Sequence, residues 1–194
     1  EQGAVFVEAG LWLRAQYFPS RPDEDWLVAA HREVRATREH AGFCDVSTLG
    51  KIDLQGPDAG RFLDRLYINT FSTLPVGRAR YGIMLREDGI LLDDGTAARL
   101  GEQHWVLTTT TANAAKVLQH MEFCAQVLWP ELDVQIAGVT DQWAQVSIAG
   151  PKSRDLLRRI VDPAFDVSNA AFPHMAAMDA RVGDGVPARL FRLS

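Results

Sequence analysis

Ile52-Asp53-Leu54-Gln55-Gly56-Pro57-Asp58-Ala59-Gly60-Arg61-Phe62-Leu63-Asp64-Arg65-Leu66 passes from alternating to helical spacing at a Gly-Pro pair, and Val146-Ser147-Ile148-Ala149-Gly150-Pro151 makes the same passage into Leu156-Leu157-Arg158-Arg159-Ile160. In each stretch the apolar period lengthens at the corner, as it does between a strand and a helix. Glycine tolerates the tight turn, and proline fits the first helical position, where no amide donor is needed. The pattern predicts one strand-turn-helix unit used twice. Four identities in the twelve positions from Gly56 to Tyr67 are few enough that chance likeness between two such units stays open.

Between the two units the chain is rich in strand signals. Ala79 to Leu85, Ile90 to Leu92, Thr96 to Leu100 and His104 to Thr109 are separated by Asp-Gly and Gly-Glu turns and predict a small antiparallel sheet. A helix predicted over Ala112 to Leu128 covers it, with Leu118, Met121, Cys124 and Leu128 as one stripe ended by Trp129-Pro130. Val134 to Ile136 reads as a further strand. Upstream, Trp26, Leu27, Ala30, Val34 and Ala41 keep helical spacing from Asp25 to the stop at Gly42. His31 and His40 fall on opposite faces of that helix and cannot share a metal. Ala180 to Val182 and Ala188 to Leu193 flank Gly183-Asp184-Gly185 as a hairpin. Its last strand runs into Ser194 without a cap, and with the start at Glu1 this is the expected look of a fragment boundary.

Composition narrows the function classes. With 194 residues, 47% hydrophobic and 23% charged, the chain has the makings of a core. A net charge of −5 disfavours a nucleic-acid surface, and the cluster Arg154, Arg158, Arg159 reads as a solvated helix face. Cys44 and Cys124 are eighty residues apart with no Cys-x-x-Cys spacing, so both are expected to be buried reduced thiols, with no metal site. No apolar run approaches the ~20 residues that span a bilayer, and the first residues lack the basic start of a signal peptide. A cytoplasmic location is expected. Gly183-Asp184-Gly185 leads into a strand and is a turn, not a dinucleotide fingerprint.

The run Arg38-Glu39-His40-Ala41-Gly42-Phe43-Cys44-Asp45-Val46-Ser47-Thr48-Leu49-Gly50-Lys51 and Leu54-Gln55-Gly56-Pro57-Asp58-Ala59 resemble the opening of the glycine-cleavage T-protein (aminomethyltransferase) family. Asn69-Thr70, Pro75-Val76-Gly77-Arg78-Ala79-Arg80-Tyr81 and Asp88-Gly89-Ile90 strengthen the likeness. Leu11-Trp12-Leu13-Arg14, Asp93-Asp94-Gly95-Thr96 and Thr140-Asp141-Gln142-Trp143 are similar to its sarcosine oxidase α-subunit branch. The resemblance implies an α+β, aminomethyltransferase-like fold. Residues 1–52 and 140–194 would form an incomplete split domain around a ferredoxin-like antiparallel insert at 53–139, with the family's C-terminal barrel absent. It also implies a tetrahydrofolate site that traps the one-carbon unit from sarcosine oxidation as 5,10-methylenetetrahydrofolate. FAD, FMN and NAD would belong to other segments or chains of the complex, whose other subunits would be partners. A scaffold that binds folate without chemistry, and a free-standing glycine-cleavage aminomethyltransferase, are the alternatives.

By the same resemblance the functional acid is the last of a turn that counts to Asp93, with Asp94 next if the turn is one residue longer. From the residues themselves, the favoured reading is that the two acids shape a hairpin, and the resemblance reverses that preference. Where it functions, such a carboxylate holds the attacking amine and accepts its proton. Tyr81 matches a tyrosine that packs on the pterin, and Thr110 stands where the family carries an asparagine. Threonine makes fewer hydrogen bonds than a carboxamide, so recognition there should be weakened. A glutamate and an arginine that the family uses lie beyond residue 194. The 194-residue chain by itself is therefore expected to bind tetrahydrofolate weakly or not at all, and submicromolar affinity in a titration would contradict this.

Overall fold

The computed structural model describes residues 3–193; Glu1, Gln2 and Ser194, on which the reading of the chain ends rested, lie outside the described residues. In chain order the elements are β1 (Val5–Ala9), β2 (Trp12–Tyr17), α1 (Trp26–Glu39), β3 (Gly42–Asp45), β4 (Gly50–Gln55), α2 (Ala59–Leu66), β5 (Arg78–Leu85) and β6 (Leu91–Gly101). Then follow β7 (His104–Thr109), α3 (Ala114–Phe123), β8 (Gln135–Gly138), β9 (Val146–Ala149), α4 (Ser153–Ile160), β10 (Ala177–Val182) and β11 (Val186–Phe191). A five-stranded antiparallel sheet in the order β5-β6-β7-β4-β8 carries the main core. Its succession is β-α-β-β-α-β with one strand added. Three two-stranded antiparallel pairs, β1-β2, β3-β9 and β10-β11, stand around it.

The core forms where α2 and α3 cover one sheet face. Phe62, Leu63 and Leu66 of α2 meet Ile52, Leu54, Leu107 and Trp105 from the strands and Val117, Met121 and Cys124 from the α3 region. Both Gly-Pro corners place glycine at positive φ, Gly56 at 133° and Gly150 at 104°. A Cβ there would lie 2.2 Å from Asp133 O and 2.2 Å from Thr37 O respectively, so each corner needs glycine for its backbone angle and for close approach. The residues entering the two helices also share a geometry, Asp58 at φ −95°, ψ 7° and Lys152 at φ −98°, ψ 8°. The proline expectation is corrected: Pro57 and Pro151 sit in the turn, one residue before the caps, and the helices begin at Ala59 and Ser153.

Four other expectations change. Ile90–Leu92 and Thr96–Leu100 belong to one region of continuous pairing, because Asp93, Asp94 and Gly95 pair with Met84, Ile83 and Gly82 across β5-β6. The tandem acids therefore lie on a strand, and the turn is at Asp88-Gly89. Beyond α3 the helix widens into a π turn over Cys124–Leu128, which breaks the 3.6-residue stripe: Met121 and Cys124 are buried but Leu128 is exposed. Cys44 is exposed on β3, since that strand pairs only with β9, while Cys124 is buried as expected. Arg154 is half-buried and donates to Val167 O, so that cluster is only partly a solvated face.

Helix α1 is capped by Asp25, whose carboxylate accepts from Leu27 N at 2.9 Å. Of its apolar residues only Ala29 is buried; Trp26, Leu27, Val28 and Val34 are exposed. Just before it, Glu24 accepts from Arg32 Nη2 at 3.0 Å and Ser20 N at 2.6 Å. The Arg32 bond, then the Ser20 amide, pull the Glu24 carboxyl from 4.5 down to about 2. A depressed carboxylate stabilises the fold above its unfolded pKa and loses that contribution as pH falls through the folded value. The Ser20 amide resonance should therefore titrate with a midpoint near pH 2, and a midpoint near 4.5 would show that the tie does not hold.

Candidate functional site

The sheet face opposite α2 and α3 is the more polar one, as the solvated face of an antiparallel sheet commonly is. Tyr81 lies opposite Thr96, and Thr108 lies opposite Lys51. The pairing of Ala97 with Leu107 brings Thr96 beside Thr108, whose hydroxyls are 2.9 Å apart. One row of Tyr81, Thr96, Thr108 and Lys51 thus crosses β5, β6, β7 and β4. The hairpin β10-β11 covers one end of this face, packing Ala177 and Phe191 on Ala79 and Ala98. Two residues along β4 from Lys51, Asp53 accepts from Gln55 and faces His104 Nε2 at 2.8 Å and Arg189 at 3.7 Å. Arg189 also lies over the Trp143 ring, 4.5 Å from its centroid.

Strand alternation sends the tandem acids to opposite sides. Asp93 points to the helical side and is 4% exposed. Both its oxygens are engaged: Thr110 Oγ1 and Asn113 Nδ2 (3.1 Å) donate to Oδ1, and Thr110 N donates to Oδ2 at 3.2 Å. Asn113 donates as well to Leu92 O at 3.0 Å, so the corner between β7 and α3 is clamped onto β6. Asp94 points to the polar face, opposite Ile83, and its Oδ2 accepts from the Tyr81 hydroxyl. No described residue donates to Asp94 Oδ1.

The electrostatics follow from these contacts. The hydrogen bond to Asp94 is the main cause that raises the Tyr81 phenol, with partial burial and the charges of Asp94 and Asp93 adding to it. Tyr81 accordingly keeps its proton and remains a donor near neutral pH. Burial, then the Asp93 charge, pushes the Tyr67 phenol up on the helical side. Burial lowers the Lys51 ammonium against the opposing pull of Asp141 and Asp45. Its Nζ is turned to Ser47 O at 2.8 Å and Leu49 O at 3.0 Å, closing the turn before β4.

The strands are pressed closely together and onto the core. A Cβ on Gly95 would lie 1.9 Å from Thr108 O, and one on Gly82 would lie 2.8 Å from the Tyr67 and Phe71 rings. Tyr81 itself is 49% exposed, enough for a flat ligand to lie against the ring. Two surface concavities, of about 250 Å³ beside Arg158 and Phe165 and about 410 Å³ beside Gln126 and Ile136, lie away from these residues. Tyr81 and Asp94 present an open face.

Of the residues singled out in the sequence, Tyr81 and Asp94 meet on one face, while Asp93 and Thr110 meet each other beneath it. Thr110's hydroxyl is spent on Asp93. Sequence reading missed Thr96, Thr108 and Asn113. Period-two counting from Asp94 would have placed Thr96 on its face; nothing local announces Asn113, whose partner is twenty residues away. Among the described residues no group of three or more potential metal ligands occurs, and no helix is long and apolar enough to cross a membrane.

The family model described as GCVT N-terminal domain matches residues 1–194. Sarcosine oxidase subunit alpha of Rhizobium meliloti (strain 1021) is 55% identical over 195 residues, covering 100% of this chain and 20% of the relative. Its namesake from Corynebacterium sp. (strain P-1) is 46% identical over 193 residues, again 100% and 20%. The chain spans about a fifth of the length of these curated relatives. Among solved structures, glycine cleavage system aminomethyltransferase T from Bartonella henselae superposes with a TM-score of 0.78 at 23% identity, over 93% of this chain and 45% of that one. Heterotetrameric sarcosine oxidase from Corynebacterium sp. U-96 gives a TM-score of 0.56 at 16% identity, over 86% and 80%. At these identities the structures show a shared fold.

Proposed function

The chain belongs to the GCVT N-terminal domain family, and from that premise we propose that it is the tetrahydrofolate-binding region of a sarcosine oxidase α subunit, which takes up the one-carbon unit of sarcosine as 5,10-methylenetetrahydrofolate. The observation that carries this reading is the Tyr81-Asp94 pair beside the polar row of the open sheet face, with one carboxylate oxygen open. An exposed ring beside an unfilled acceptor fits a flat, amine-bearing heterocycle. In the same reading residues 53–139 form the insert of a split domain, the location is cytoplasmic, and FAD, FMN, NAD and the other subunits belong to the rest of the complex. The exposed apolar side of α1 supports a neighbour there, since isolated domains seldom leave such faces bare.

Tetrahydrofolate, when bound, supplies the nucleophilic amines that receive the methylene unit. Asp94 Oδ1 accepts a hydrogen bond from the attacking amine, which fixes its lone pair toward the electrophile. The same oxygen takes up the proton that the amine loses. Tyr81 holds Oδ2 through its hydroxyl, leaving Oδ1 as the free acceptor. Asp93 does a different job: saturated by Thr110 and Asn113, it anchors the strand so that Asp94 cannot swing away.

The test is the fate of the carbon. In the full-length protein turning over isotopically labelled sarcosine with tetrahydrofolate present, the label should appear in 5,10-methylenetetrahydrofolate. Recovery of all label as free formaldehyde, whatever the tetrahydrofolate concentration, would refute the reading.

A further inference from the structure

We propose that Thr96 is a specificity-determining contact for the acceptor, taking a second polar atom of the ring system whose amine Asp94 holds. The inference rests on the folate reading above and adds to it a residue to which sequence reading assigned no role. Thr96 sits two residues from Asp94 on the same strand and the same face, about 6.8 Å along β6. It also stands directly across from Tyr81. A flat ligand packed on the Tyr81 ring therefore reaches Asp94 Oδ1 and Thr96 Oγ1 together.

The hydroxyl accounting leaves Thr96 with unfilled capacity in either orientation. Thr108 Oγ1 accepts from Thr96 N at 3.1 Å and lies 2.9 Å from Thr96 Oγ1. If Thr108 donates across that contact, the Thr96 proton has no acceptor among the described residues. If Thr96 donates instead, Thr108 turns its proton to Thr96 O, and both Thr96 lone pairs are open. Thr96 can thus give or take one hydrogen bond, while Thr108 is held in place as its support. Placement is firm because the close approach of Gly95 to Thr108 O fixes β6 against β7. A hydroxyl so held rejects a ligand edge that is apolar at that point, since the bond made to water would be lost without replacement.

The experiment uses the full-length enzyme with tetrahydrofolate as the varied substrate. Thr96→Val should raise KM for tetrahydrofolate about tenfold with kcat within twofold, the size of one neutral hydrogen bond. Thr96→Ser should keep the wild-type KM. Thr96→Ala, which introduces no bulk, should show the same rise and serves if the valine variant misfolds. An unchanged KM in the valine or alanine variant, with capture lost in Asp94→Asn, overturns the role of Thr96 and leaves the folate reading standing. Unchanged capture in Asp94→Asn as well would overturn both.

Discussion

Replacing Asp94 by Asn in the full-length protein is expected to lower the rate of 5,10-methylenetetrahydrofolate formation by about 10²–10⁴-fold, the range of a lost general base. The carboxamide is nearly isosteric and can still accept from Tyr81, so the fold should be kept. What it lacks is basicity at the open Oδ1. The one-carbon unit should then leave as formaldehyde while amine oxidation goes on, because the proposed reading puts the two reactions in different parts of the complex. Product partition, measured by labelled carbon, checks this directly. Unchanged methylenetetrahydrofolate yield would contradict the assignment of the capture to this face.

Replacing Asp93 by Ala should instead cost stability, by about 3 kcal/mol. The carboxylate is buried and accepts from Thr110 N, Thr110 Oγ1 and Asn113 Nδ2. Removing it loses charge-assisted hydrogen bonds and leaves the Thr110 amide and the Asn113 carboxamide short of an acceptor at the corner. Urea unfolding of the full-length protein, followed at the transition that contains this region, provides the measurement. A loss below about 1 kcal/mol would mean that water satisfies the corner and that the clamp is not structural. The two acids thus separate by readout: Asp94 in product partition, Asp93 in unfolding.

The tandem acids also show how far sequence reasoning reaches. The Gly-Pro corners were legible because each demand is local: positive φ and a nearby carbonyl admit only glycine, and the change of period marks strand and helix. The hairpin at the end of the chain was legible for the same reason, with Gly183 and Gly185 both at positive φ. Placing Asp93 and Asp94 on a turn failed because the Asp-Gly pair at Asp94-Gly95 carries a turn signal that the pairing of β5 with β6 overrides. There the glycine answers a contact with Thr108 O, a residue thirteen positions away that no window around the turn contains. The division of labour between the acids needed the sheet to be seen, since it depends on which face the α2 and α3 helices cover.

The exposed side of α1 was illegible for a related reason. Its apolar spacing was read correctly as helix, but spacing does not say what the stripe packs against. The helix buries only Ala29 within the described residues. A periodic pattern records that a face is apolar and does not record what meets it. In the proposed setting, as about a fifth of a longer polypeptide, that face has neighbours outside this chain.

The most direct measurement is amide hydrogen exchange on the full-length protein with and without tetrahydrofolate. Slowed exchange in the segments 78–85 and 91–96, which carry Tyr81, Asp94 and Thr96, is the expected result. Tetrahydrofolate binding that leaves both segments unchanged, with protection confined to other parts of the protein, would contradict the assignment of the site to this sheet face.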